Sequence, residues 1–320
     1  MSDDSLPATT RPIDKKRINS LLERQEQKNQ EREIWFTHSI FTQCFLPYRD
    51  PKETHWIKRN GKYSIMLSAG PIDHPSMQRP GKVLGLPFGS KPRLFQSHYC
   101  TLAIQNQSPV IPVERSMTAM MKKLKMGTTG GKEGPIKPFK EQIMRYAACH
   151  FRIAGPKLRG ETEVHTHINA EPFKVFDVWF PEDPRQETLW PTEIILNTDF
   201  YESLKEHAVP FDIEATIPIK NNARALDVYL WLTQRLCRIP HDKPLYLNWV
   251  TLFEQFSGGQ AELRSFKKPF EQALLAARSC YPDAVMEEHP GKEGWIFKHS
   301  KPPIPKTALV IPFKDKSGDE

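Results

Sequence analysis

Apolar positions recur at helical period through residues 132–149, KEGPIKPFKEQIMRYAAC. Phe139, Ile143 and Tyr146 fall at i, i+4 and i+7, which stacks them on one face of a helix. Lys137, Glu141, Met144 and Arg145 take the opposite face, with Lys140 at its border. Residues 262–280 repeat the design, with Phe266, Phe270, Ala273 and Ala277 on the apolar side and Arg264, Lys268, Gln272 and Ser279 on the polar side. The two stretches also share a spacing. Lys137-Pro138-Phe139 is followed by Cys149 twelve residues after its Lys, and Lys268-Pro269-Phe270 by Cys280 at the same distance. This predicts a duplicated unit that presents a basic helix twice. Pro138 and Pro269 predict that each helix starts late or kinks.

The companions of each helix also repeat. Residues 35–45 are apolar enough to pack on a core, and LPYRDPK at 46–52 reads as a turn. Strand-like runs at 56–67 flank Asn60-Gly61, a hairpin signal. A helix follows at 90–107, with Ser90 as a candidate cap, Pro92 in its first turn, and an apolar stripe of Leu94, Phe95, His98, Leu102 and Ile104. Then come a strand at 110–113, a helix at 116–126 ending at Gly127, the first basic helix, and strands at 150–153, 163–169 and 174–180. The second half predicts a strand at 190–196, a helix at 199–207, an extended run at 210–219, a helix at 221–238 and a strand at 245–247. A helix at 248–256 ending at Gly258-Gly259, the second basic helix and a hairpin at 284–297 complete it. Helix, strand, helix, turn, basic helix, hairpin is the order of a winged helix, whose last helix enters the major groove. The predicted class is α+β, tandem winged-helix domains with β-hairpin wings. The predicted divisions are a charged N-terminal arm at 1–45, winged-helix domains at 46–188 and 189–303, and a polar tail at 304–320.

Charge narrows the partner. The chain of 320 residues carries a formal net charge of +7. From Arg115 to Arg145 eight Lys and Arg face two Glu, a local +6. Clustering of this kind suits an anionic partner, above all nucleic acid. Five cysteines without a CxxC pair predict neither a disulfide framework nor a zinc site, and so a reducing cytoplasm. MSDDSLPATT has no signal pattern, and no apolar run is long enough for a membrane span.

The chain resembles the RepA-type plasmid replication initiators of bacteria, the plasmid encoded RepA family. The resemblance rests on LPYRDPK at 46–52, WIKRNGKYSIMLSAG at 56–70, LPFGSKPRL at 86–94, GTTGGKEG at 127–134, ALDVYLWLTQRL at 225–236 and SFKKPFEQAL at 265–274, in the family's order. It implies a protein without enzymatic activity that binds iteron repeats in double-stranded origin DNA, helps open the duplex and recruits the host helicase machinery. It also implies a homodimer that represses its own gene.

Lys and Arg on the helices, wings and arm would neutralise phosphates, and paired hydrogen bonds to base edges would carry specificity. The DNA-binding candidates are Lys132, Lys137, Lys140, Glu141 and Arg145 around the first basic helix, and Arg264, Ser265, Lys267, Lys268 and Gln272 in the second. No metal or cofactor is expected. GTTGGKEG is not a Walker loop, because Glu133 stands where Ser or Thr is required after Lys132. His165-Thr166-His167 would put two His on one face of a strand, but a metal-dependent HUH-type nicking enzyme wants an apolar residue between them. That nicking enzyme and a winged-helix transcriptional repressor without initiation activity are the alternative readings.

Overall fold

The computed structural model describes residues 33–72, 82–114, 116–128, 134–159, 162–169, 173–175, 193–259 and 262–305. Most of the predicted charged arm, Lys132 and most of the tail lie outside them. Contacts divide the chain into Met1–Glu33 and Ile34–Glu320, and the second unit holds all the elements that follow.

The N-terminal half begins with β1 (Ile34–His38) and a 3-10 turn, Ser39–Thr42. The hairpin β2 (His55–Asn60) and β3 (Tyr63–Ala69) follows. Asn60 pairs with Tyr63, so the loop is Gly61-Lys62, one residue later than the dipeptide predicts, with Gly61 at φ +55°. A short pair, β4 (Pro71–Ile72) and β5 (Lys82–Val83), leads to α1 (Ser90–Gln105). The N-cap of α1 is Gly89, which makes no side-chain cap bond, so Ser90 is not the cap. Then come β6 (Val110–Pro112), α2 (Met117–Lys123) capped by Ser116, and α3 (Ile136–Ala147). The long strands β7 (Cys149–Arg159) and β8 (Thr162–Asn169) precede β9 (Phe173–Val175), β10 (Glu193–Leu196) and α4 (Thr198–His207). The C-terminal half runs β11 (Ala208–Asp212), α5 (Ala223–Arg235), β12 (Leu245–Asn248), α6 (Trp249–Phe256), α7 (Leu263–Ser279), β13 (Met286–Glu288) and β14 (Gly294–Phe297).

This is a mixed helix-and-sheet fold, as the patterning predicts. In the C-terminal half, β12, β14 and β13 form an antiparallel sheet in that order below α5, α6 and α7, the connectivity of a winged helix. The N-terminal half keeps the helix order but not the sheet. There β7–β8 joins the first hairpin in the order β2-β3-β7-β8, while β6 pairs with β10 in a separate sheet. The apolar stripes explain the packing. Phe139, Ile143 and Tyr146 are buried under α3, and Phe266, Phe270, Ala273 and Ala277 under α7. Tyr146 is core; its hydroxyl bonds that of Tyr99. Both halves contribute to one continuous core, and β1 pairs antiparallel with β11 across the middle of the sequence.

Candidate nucleic-acid interface

α7 is positioned by what surrounds it. Asn248 caps α6 through the Thr251 N–H at 2.8 Å, and the α6–α7 turn passes through Gly258 and Gly259, at φ +58° and +93°. Phe266 and Phe270 then anchor the inner side of α7, and Phe256 packs on Phe270 at 5.1 Å. The face turned away from these anchors carries exposed Arg264, Ser265, Lys268 and Gln272. Ser265 donates to the Glu262 carbonyl at 2.9 Å. Lys267 is half-buried, its ammonium 5.3 Å from the Trp249 ring. Leu275, 52% exposed, lies seven residues after Lys268 on the same stripe and extends it. The sequence reading missed it, although that spacing was the available signal.

α3 presents less. Lys137 and Glu141 are exposed. Lys140 is half-buried, and burial lowers the pKa of its ammonium. Arg145 is drawn inward, with a side chain only 11% exposed. Its guanidinium donates to Glu141 Oε1 at 2.8 Å, to Asp50 Oδ2 at 3.2 Å and to the Leu86 carbonyl at 3.2 Å, and it covers the Phe88 ring at 5.2 Å. The helical wheel puts Arg145 outside, but residues 46–52 and 85–88 fold over that flank. The structure therefore gathers the candidates as two separate faces, led by Lys137 on α3 and by Arg264, Lys268 and Gln272 on α7; Lys132 lies outside the described residues.

The C-terminal wing is not basic. It exposes Glu287 and Glu288 on β13 and Lys292 and Glu293 in the loop before β14, and Lys298 pairs with Glu287 at 2.9 Å. In the first wing, His167 is in register with Ala154 and His165 with Pro156; nothing about these two side chains falls within the described residues. Among the described residues no three His, Cys, Asp or Glu gather in a group able to hold a metal, and no helix is long and apolar enough to cross a membrane.

A family model described as plasmid encoded RepA protein matches residues 86–251, just over half of the chain. The chain belongs to that family. It is thus a RepA-type replication initiator, and the matched region runs from α1 through the start of α6. No curated protein matches the chain. Among solved structures, a selenomethionine derivative of domains 2 and 3 of RctB is similar at 11% identity and a TM-score of 0.47, covering 73% of this chain and 82% of that one. A second structure of RctB domains 2-3 is similar at 13% identity and a TM-score of 0.44, covering 80% and 94%.

Proposed function

We propose that this RepA-family protein is a non-enzymatic initiator that reads double-stranded repeats at a plasmid origin with the outer faces of α7 and α3. The observation that carries the reading is the stripe on α7. Arg264, Lys268 and Gln272 are exposed on a helix whose opposite side is locked by Phe266 and Phe270, inside a winged-helix connectivity. Neither α7 nor α3 has an acidic residue in its first turn, although Glu262 is the N-cap of α7. Lys268 and Arg264 neutralise phosphates, while Gln272 has the amide geometry for paired bonds to an adenine edge. On α3, Lys137 supplies the outward cation. Arg145 instead shapes the helix's surroundings. Recruitment of host helicase or initiator proteins, a homodimer and a cytoplasmic place beside DNA belong to the same reading.

The test is fluorescence anisotropy on a labelled origin-repeat duplex against a scrambled one, across a salt series. The reading expects a specificity ratio of about 10³ or more at physiological salt. Equal and steeply salt-dependent binding to both duplexes would overturn it, since counterion release alone produces that result.

A further inference from the structure

Residues 46–52, LPYRDPK, are neither helix nor strand, yet they touch the surroundings of both basic helices. Toward α3, Asp50 accepts from the Arg145 guanidinium at 3.2 Å. Partial burial pushes the Asp50 carboxyl upward, but the Lys52 N–H and ammonium and the Arg145 charge outweigh it and hold the group below the usual carboxylate range. The Pro47 carbonyl accepts from the Gly89 N–H at 3.1 Å, and one residue earlier the Phe88 N–H donates to Gln142 of α3 at 2.8 Å.

Toward α7, the Tyr48 ring packs against the turn that launches the helix. A Cβ at Gly258 would overlap that ring, so only glycine permits the approach. Arg224 of α5 sits over Tyr48 at 4.9 Å and over Phe266 of α7 at 5.6 Å, bridging the two. Just upstream, Phe45 stacks on Phe256 at 5.1 Å, and Phe256 packs on Phe270 of α7 at the same distance. Beneath the segment, Arg93 of α1 and Asp227 of α5 form a two-bond ion pair, each bond 2.7 Å long. The remaining Arg93 donors go to the Leu46, Pro47 and Gly89 carbonyls, so all five are used.

We infer that residues 46–52 are a strut that locks α3 and α7 into one rigid reading head, so that the protein accepts a single spacing between the two stretches of duplex it reads. Tyr48 and Asp50 are positioning residues. The consequence for DNA rests on the reading proposed above; the rigidity does not. An ion pair on the α3 flank and ring packing on the α7 flank hold the segment from both sides. Each base pair inserted between the two stretches turns the far groove by about 34–36° and moves it about 3.4 Å, given 10–10.5 base pairs per turn. A rigid head cannot follow that displacement, whereas a hinged one can.

Two variants loosen the strut from opposite ends. Asp50→Asn weakens the ion pair to Arg145 on the α3 side, and Tyr48→Leu removes the ring that packs on the α7 turn. The first measurement compares origin duplexes lengthened by one, two or five base pairs at the centre of the protected region. The parent protein should lose about tenfold or more in affinity at one or two added pairs. Each variant should bind the native spacing within a few-fold of the parent and show a spread across insertions of about threefold or less. A parent indifferent to insertion, or variants with the parent's steep profile, would overturn the strut.

The second measurement needs no DNA. Spin labels at Lys137→Cys and Lys268→Cys should give a narrow distance distribution in the parent, broadened by Asp50→Asn or Tyr48→Leu. Equal widths would overturn the strut even if no duplex is preferred. Broadening in the variants without any preferred duplex would support the strut and defeat only the DNA reading. Circular dichroism melts confirm that each variant is folded before either comparison.

Discussion

His38 is held as a neutral imidazole. It ends β1 with its ring stacked on Phe200 at 5.6 Å. Nδ1 accepts the Ile40 N–H and Nε2 faces Ser203 Oγ, both at 3.0 Å. A second proton would have to enter at Nδ1, where it would oppose the Ile40 N–H. Burial, reinforced by the charge of His207, lowers the pKa from 6.5 to about 3. In the unfolded chain the same ring takes up a proton near 6.5. Between those values the unfolded state binds the extra proton, so stability is complete above about pH 6.5 and falls as pH drops toward 3. The slope from this one group should approach ~1.4 kcal/mol per pH unit. His38→Asn keeps an acceptor for Ile40 and removes the titration. Urea unfolding at pH 4–7 should therefore show a shallower acid slope for the variant, and equal slopes would refute the assignment. Arg145 shows the limit of reading single residues from the sequence. Its helical position is right, yet its partner Asp50 lies 95 residues away.

At the scale of elements, the two Lys-Pro-Phe copies sit at different depths. α3 begins at Ile136, so Pro138 falls in the first turn, where its missing N–H costs nothing. α7 begins at Leu263, so Pro269 lies inside the helix, where proline has no N–H to donate. The sequence predicts a late start or a kink for both; the first helix starts late, and the second carries its proline internally. The longer α7 therefore offers the larger exposed face. Lys268→Ala should weaken binding to every duplex about equally and reduce the salt slope by about one. Gln272→Ala should relax preference at one base position while leaving the slope in place. Binding-site selection over a salt series separates the two effects, and an unchanged preference profile would remove Gln272 from base readout.

At the scale of the molecule, Arg93 and Asp227 tie α1 to α5 across 134 residues, with side chains 6% and 3% exposed. Burial pushes the Asp227 carboxyl up while the Arg93 guanidinium pulls it down. Removing one partner strands the other charge, so Asp227→Ala should cost about 3–5 kcal/mol. The double change Arg93→Met with Asp227→Leu should recover only part of that loss, because the Leu46, Pro47 and Gly89 carbonyls lose their donor. Urea denaturation decides it, and a single-variant loss below about 1 kcal/mol would mean that the pair is incidental. Because both halves share one core, the parent should unfold in one transition.

Local order alone determined the helices, the first hairpin and the buried faces of α3 and α7. Period 3.6 and period 2 are properties of neighbouring residues, and caps such as Ser116, Asn222 and Asn248 act within three positions. The RepA resemblance was legible for the same reason, since its motifs are short runs in a fixed order. Only the tertiary structure decided that β1 pairs with β11, that β6 leaves the first wing for β10, and that LPYRDPK braces two helices instead of merely turning. Those features depend on surfaces that meet only after the chain has closed long loops. Arg93 and Asp227 look like ordinary helix charges until folding removes the water around them and leaves each as the other's counter-ion.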